Sequence, residues 1–80
     1  MTAEQLRNTR SANPFVPFTI QMAGGNSYRV PHHDYLSVHP TGRIATVYLP
    51  NGTARTIDVM LVTELVEDPA PSTPRENGAA

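Results

Sequence analysis

Three glycine-bearing turn signals divide the middle of this chain into short runs: Gly24-Gly25-Asn26, Pro40-Thr41-Gly42 and Pro50-Asn51-Gly52. Apolar and polar residues alternate along the runs between them. A period of two closed by glycine turns is the pattern of a small antiparallel β domain. Reversals at this spacing leave room for little else.

Val16, Phe18, Ile20 and Met22 fall on one face of the first run, with Thr19 and Gln21 on the other. Pro17 cannot donate to a ladder, so this strand begins at an edge or with a bulge. The next run turns Tyr28 and Val30 inward and Ser27 and Arg29 outward. Pro31-His32-His33-Asp34 breaks the alternation and reads as a bulge or short connection. Leu36 and Val38 then point inward. The run from Ile44 to Leu49 is apolar on both faces, with Ala45, Val47 and Leu49 on one and Ile44 and Tyr48 on the other. A strand patterned so is central or lies at an interface. Asn51-Gly52 is the strongest hairpin signal in the chain, and Ile57 faces inward on the return. For Val59-Met60-Leu61-Val62 we favour one helical turn ahead of a last strand. That reading places Val59, Val62 and Leu65 inward.

Thr2 to Ser11 reads as a short helix capped by Thr2, with Gln5 completing a capping box. Ten residues do not hold a helix in water, so it must rest on the sheet through Leu6. From Glu67 onward the composition turns to proline and small polar residues, the mark of a disordered tail. The organisation expected is a helix in residues 1–13, a β domain in 14–66 and a tail in 67–80. Pro69, Pro71 and Pro74 of that tail are also a possible polyproline ligand.

Eighty residues make one domain at most. A core of this size buries only about 60% of its unfolded surface, and with no cysteine no disulfide can help. A protein partner or a homo-oligomer is therefore expected to complete the fold. No run approaches the roughly 18 apolar residues of a membrane helix. The start Met1-Thr2-Ala3-Glu4-Gln5 lacks a signal-peptide pattern, so a cytoplasmic protein is expected, with no membrane partner. Net charge is −1, and all six basic residues are arginine. Arg29, Arg43 and Arg55 are matched in the core region by Asp34, Asp58 and Glu64. That balance disfavours strong binding to nucleic acid, although a local arginine cluster is compatible with weak binding.

A short helix, about five short strands and a helical turn before the last strand predict a mainly β fold. We expect a strongly bent five-stranded antiparallel sheet or an SH3-like or Sm-like small barrel. The stretch from Asp58 to Val66 resembles the closing turn and strand of Sm-like proteins. The order Pro14-Phe15-x-Pro17-Phe18-x-Ile20, a glycine turn, Val30, His33 and Tyr35, Gly42-Arg43, Asn51-Gly52, Ile57-Asp58 and Leu61-Val62 resembles a group of small uncharacterised bacterial proteins. That likeness implies a fold and no activity.

His32, His33, Asp34 and His39 are the one concentration of metal-ligand types. Three or four must converge to hold an ion, and in an extended segment His32 and His33 point apart. A solvated turn with Asp34 accepting backbone N–H groups is the plainer reading. No cofactor is expected. Ser37 and His39 share a face, but no orienting acid accompanies them, as nucleophilic catalysis requires; no enzyme is expected. Tyr28, Tyr35 and Tyr48 with Arg29, Arg43 and Arg55 can form a platform for bases or a protein partner. The plainer reading packs Tyr28 and Tyr48 in the core with their hydroxyls at its rim. Phe15 is expected to face away from Val16 and Phe18, under the helix or in an exposed patch. Tyr35, Arg43, Arg29, Arg55 and Phe15 are the candidate binding residues. The function expected is a non-enzymatic interaction module that binds another protein or its own copies. The alternatives are a nucleic-acid-binding or regulatory barrel and a histidine-centred metal site.

Overall fold

A computed structural model describes residues 1–69. These residues form helix α1 (Ala3–Arg10) and six strands: β1 (Phe18–Met22), β2 (Ser27–Val30), β3 (Leu36–Val38), β4 (Ile44–Tyr48), β5 (Ala54–Asp58) and β6 (Val62–Glu67). Two single 3-10 turns, His33–Tyr35 and Val59–Leu61, lie between β2 and β3 and between β5 and β6.

The fold is mainly β, as the alternation predicts, but it is not a closed barrel. The strands form two three-stranded antiparallel sheets, ordered β2-β1-β6 and β3-β4-β5. Six strands form where about five were expected, and the Pro31–Asp34 break separates β2 from β3, which lie in different sheets. Among the described residues β5 pairs only with β4, and β6 only with β1, so no barrel closes. The chain crosses between sheets at the 3-10 turns, where ladder pairing lapses. The turn at Val59 is the helical turn the sequence favours. Asp58 Oδ1 accepts from Met60 N at 2.9 Å and caps it, and Val59 and Val62 are buried.

Alternation sends one side chain in two toward a shared core of Leu6, Phe18, Ile20, Val30, Leu36, Ala45, Val47, Ile57, Val59 and Val62. In register, Phe18 opposes Val30 and Ile20 opposes Tyr28, while Leu36 opposes Val47 and Ala45 opposes Ile57. Ile20 also opposes Leu65, and a register shift between Gln21 and Met22 bends β1 against β6. The shift brings Val62 inward after Leu65, as a bulge does.

The α1 capping box is present: Thr2 Oγ1 accepts from Gln5 N at 3.2 Å, and Gln5 Oε1 accepts from Thr2 N at 3.0 Å. Leu6 is wholly buried and seats the helix. Gly42 makes room at the other contact. Its φ is +78°, and a Cβ there would lie 2.8 Å from the Ala3 Cβ. The sheet also runs further than the composition suggests. Glu67 belongs to β6, and Asp68 N donates to Pro17 O at 2.9 Å. Pro71, Pro74 and the rest of the expected tail lie outside the described residues. Among the described residues, no helix is long and apolar enough to cross a membrane.

Candidate functional site

Each sheet has an outer face set by the same alternation that builds the core, and the two faces differ in charge. Across β2, β1 and β6 the outward positions in register are Ser27, Arg29, Thr19, Gln21, Glu64 and Val66. Arginine and glutamate mark that face as a solvated one. Across β3, β4 and β5 the outward positions are Ser37, Ile44, Thr46, Tyr48, Ala54, Thr56 and Asp58. Asp58, at one corner, is the only charge among them.

Ile44 and Tyr48 are 41% and 43% exposed, while Ala45 and Val47 between them are buried. The two-faced apolar pattern of β4 therefore has a plain cause: β4 is the central strand of its sheet, with one face in the core and the other uncovered. Tyr48 is not a core residue, contrary to the expectation that it packs inside with its hydroxyl at the rim. Its partner across the ladder is Ala54, too small to shield the ring.

The other candidates do not gather with these residues. Tyr35 is half-buried in the first 3-10 turn and packs against the core; its ring centroid lies 6.2 Å from that of His32. Tyr28 likewise packs against the core. Arg29 is not matched by Asp34, Asp58 or Glu64. It forms a two-point ion pair with Asp68, with Nη1 donating to Oδ1 at 2.8 Å. That pairing holds the Asp68 carboxyl below the usual aspartate range and raises the guanidinium of Arg29, in each case chiefly through the side-chain hydrogen bonds. Arg43 sits in the β3–β4 turn and Arg55 on β5, both exposed.

Phe15 does not face away from Phe18. The two rings lie 6.0 Å apart at 53°, and His33 meets Phe15 edge-on at 6.2 Å. Alternation fails there because β1 begins only at Phe18, so Phe15 belongs to the irregular approach to the strand. Pro14, Phe15, Val16 and Pro17 line a groove of about 570 Å³ with Glu67, Asp68 and Pro69.

The short connection expected at Pro31–Asp34 is a 3-10 turn over His33–Tyr35. His33 Nε2 lies 3.1 Å from Asp34 Oδ1. His39 Nδ1 instead accepts from Thr41 N at 3.2 Å and meets Thr41 Oγ1 at 3.0 Å. Among the described residues, no three His, Cys, Asp or Glu side chains converge as metal ligands would.

Arg7 and Arg10 were not among the sequence candidates. Arg7 Nη2 donates to His39 O at 2.9 Å and to Pro40 O at 3.3 Å, and Arg10 Nε donates to Leu36 O. They join the helix to β3 and its following turn. Their spacing of three on a helix was the available signal, but their acceptors are backbone groups 26 to 33 residues away. No family model, curated protein or solved structure matches the chain.

Proposed function

We propose that the protein is a non-enzymatic interaction module whose contact surface is the outer face of β3, β4 and β5. The occupant we assign is a second copy of the chain, related by a two-fold axis so that the same patch meets itself. One observation carries this reading: the face presents Ile44 and Tyr48 among Ser, Thr and Ala, with a single charge at its corner. Depletion of charge around an aromatic residue characterises the centre of protein interfaces. A face without net repulsion also opposes its own copy at little electrostatic cost.

Its size limits its strength. Three strands about 4.8 Å apart and five residues of about 3.4 Å each make a plane on the order of 250 Å². A standard interface takes roughly 800 Å² from each partner. Weak, concentration-dependent pairing is therefore the expected behaviour, without an obligate dimer. The cytoplasmic setting and the bacterial kinship expected from the sequence belong to the same proposal.

Amide shift mapping tests the surface. As protein concentration rises, amides of residues 44–48 and 54–58 should move together along a single binding curve, while those of residues 19–21 and 27–29 stay still. If the second set moves instead, the contact face is misassigned. If movement appears only when a different protein is added, the occupant is misassigned.

A further inference from the structure

We propose that the hollow beside the C-terminal half of α1 is a binding site for a phosphoryl group, adjoining the β3 edge of the contact face at Ser37. Arg7 and Arg10 are one turn apart on α1 and therefore share a side of it. Among the described residues the ion pairs are Arg29–Asp68 and His33–Asp34, so no described carboxylate neutralises either helix arginine. Backbone carbonyls hold them instead. Arg7 Nη2 is fixed by His39 O and Pro40 O, and Arg10 Nε by Leu36 O. A carbonyl orients the planar guanidinium without cancelling its charge. Nε and Nη1 of Arg7 and both Nη groups of Arg10 make no hydrogen bond to the described residues.

Arg10 and Ser11 line two adjoining hollows. One, of about 400 Å³, also has Asn13 and His33 on its wall. The other, of about 270 Å³, has Arg7 and Ser37. Two cationic forks are thus flanked by hydroxyl, amide and imidazole groups. The sign of the field follows from magnitudes. The helix C-terminus contributes roughly half a negative charge, against two full positive charges. The Asp34 carboxylate beside His33 lines neither hollow, and its side chain is 81% exposed, where water screens it.

A guanidinium pairs with carboxylate or phosphate through two parallel N–H···O bonds. A carboxylate fills one fork; a phosphoryl dianion has three oxygens to share between two. Forks already held by carbonyls lose little freedom on binding, which favours affinity. The shared chemistry is the phosphoryl group, and it can arrive as free phosphate or on a phosphorylated side chain.

The test is a proton–nitrogen correlation titration of the full chain with inorganic phosphate and, separately, with a short phosphoserine peptide. Ionic strength is held constant with chloride. The site predicts saturable shifts at Arg7, Arg10, Ser11, Asn13 and Ser37. Arg7→Gln should weaken binding about tenfold or more, the loss of one charge-assisted hydrogen-bonding group, and Arg55→Gln should leave it unchanged. Arg10→Lys keeps the charge but loses the fork, so it should weaken binding while the thermal midpoint shows the chain still folded. Tighter binding of the peptide than of phosphate supports the site and assigns it to a modified partner. Equal binding supports it for the free ion. The absence of saturable shifts up to about 20 mM of either probe, or equal binding by wild type and Arg7→Gln, would overturn it.

Discussion

Arg29 on β2 and Asp68 just beyond β6 are joined by two hydrogen bonds across the width of their sheet, with β1 between them. The pair closes the sheet at the end where β1 begins, beside the hydrogen bond from Asp68 N to Pro17 O.

This pair makes stability depend on pH in one direction. The folded state holds the Asp68 carboxyl below its ordinary value, so its contribution is complete above the unfolded aspartate value, near pH 4. It is lost as pH falls through the lower folded value. Arg29 stays protonated throughout. Asp68→Asn should therefore unfold at a lower temperature than wild type at pH 7, and the gap should close on acidification below about pH 4. Both side chains are substantially exposed, so added salt should shrink the gap at pH 7. Thermal unfolding followed by circular dichroism at several pH values reads both effects.

Gly42 lies where the helix and a hairpin turn meet. Gly42→Ala forces a side chain into positive φ and drives its Cβ to within 2.8 Å of Ala3. The conformational term alone costs about 1–2 kcal/mol, and the contact adds to it by pushing α1 outward. Gly24 has nothing within 4 Å of its Cβ position, so Gly24→Ala should cost far less. Urea unfolding of the two variants gives the comparison.

Leu6 is the one side chain of α1 that is fully buried. Leu6→Ala should cost about 2–5 kcal/mol, a large part of what a domain this small possesses. Amide exchange should show α1 losing protection before β4, because the sheets keep their ladders when the helix lifts away.

Local chemistry was legible in the sequence. Thr2 and Gln5 announce the cap, glycines mark the reversals, and a period of two assigns Phe18, Ile20, Val30, Ala45 and Val47 to the core. The Val59 turn was legible because Val59 and Val62 suit a helical spacing after Asp58. Relations between distant segments were not. The carbonyls that hold Arg7 and Arg10 carry no side-chain signature, so nothing in the sequence marks His39 O or Leu36 O as acceptors. Asp68 was hidden by the prolines that follow it, which gave the stretch from Glu67 the look of a tail. Alternation was also carried too far back, through Pro17 to Phe15, where no strand yet exists. For Tyr48 the pattern named the right face, but rim packing and an uncovered outer face look alike until Ala54 is seen opposite it.

The outer face of β4 is the centre of this account, and sedimentation velocity across a concentration series tests it most directly. The protein should sediment as a monomer when dilute and shift smoothly toward a dimer near millimolar concentration, the range of a small interface. Tyr48→Glu should keep it monomeric throughout while leaving its thermal midpoint almost unchanged, because the ring lies outside the core. A wild-type chain that stays monomeric at every concentration, or a Tyr48→Glu variant that associates as wild type does, would contradict the assignment.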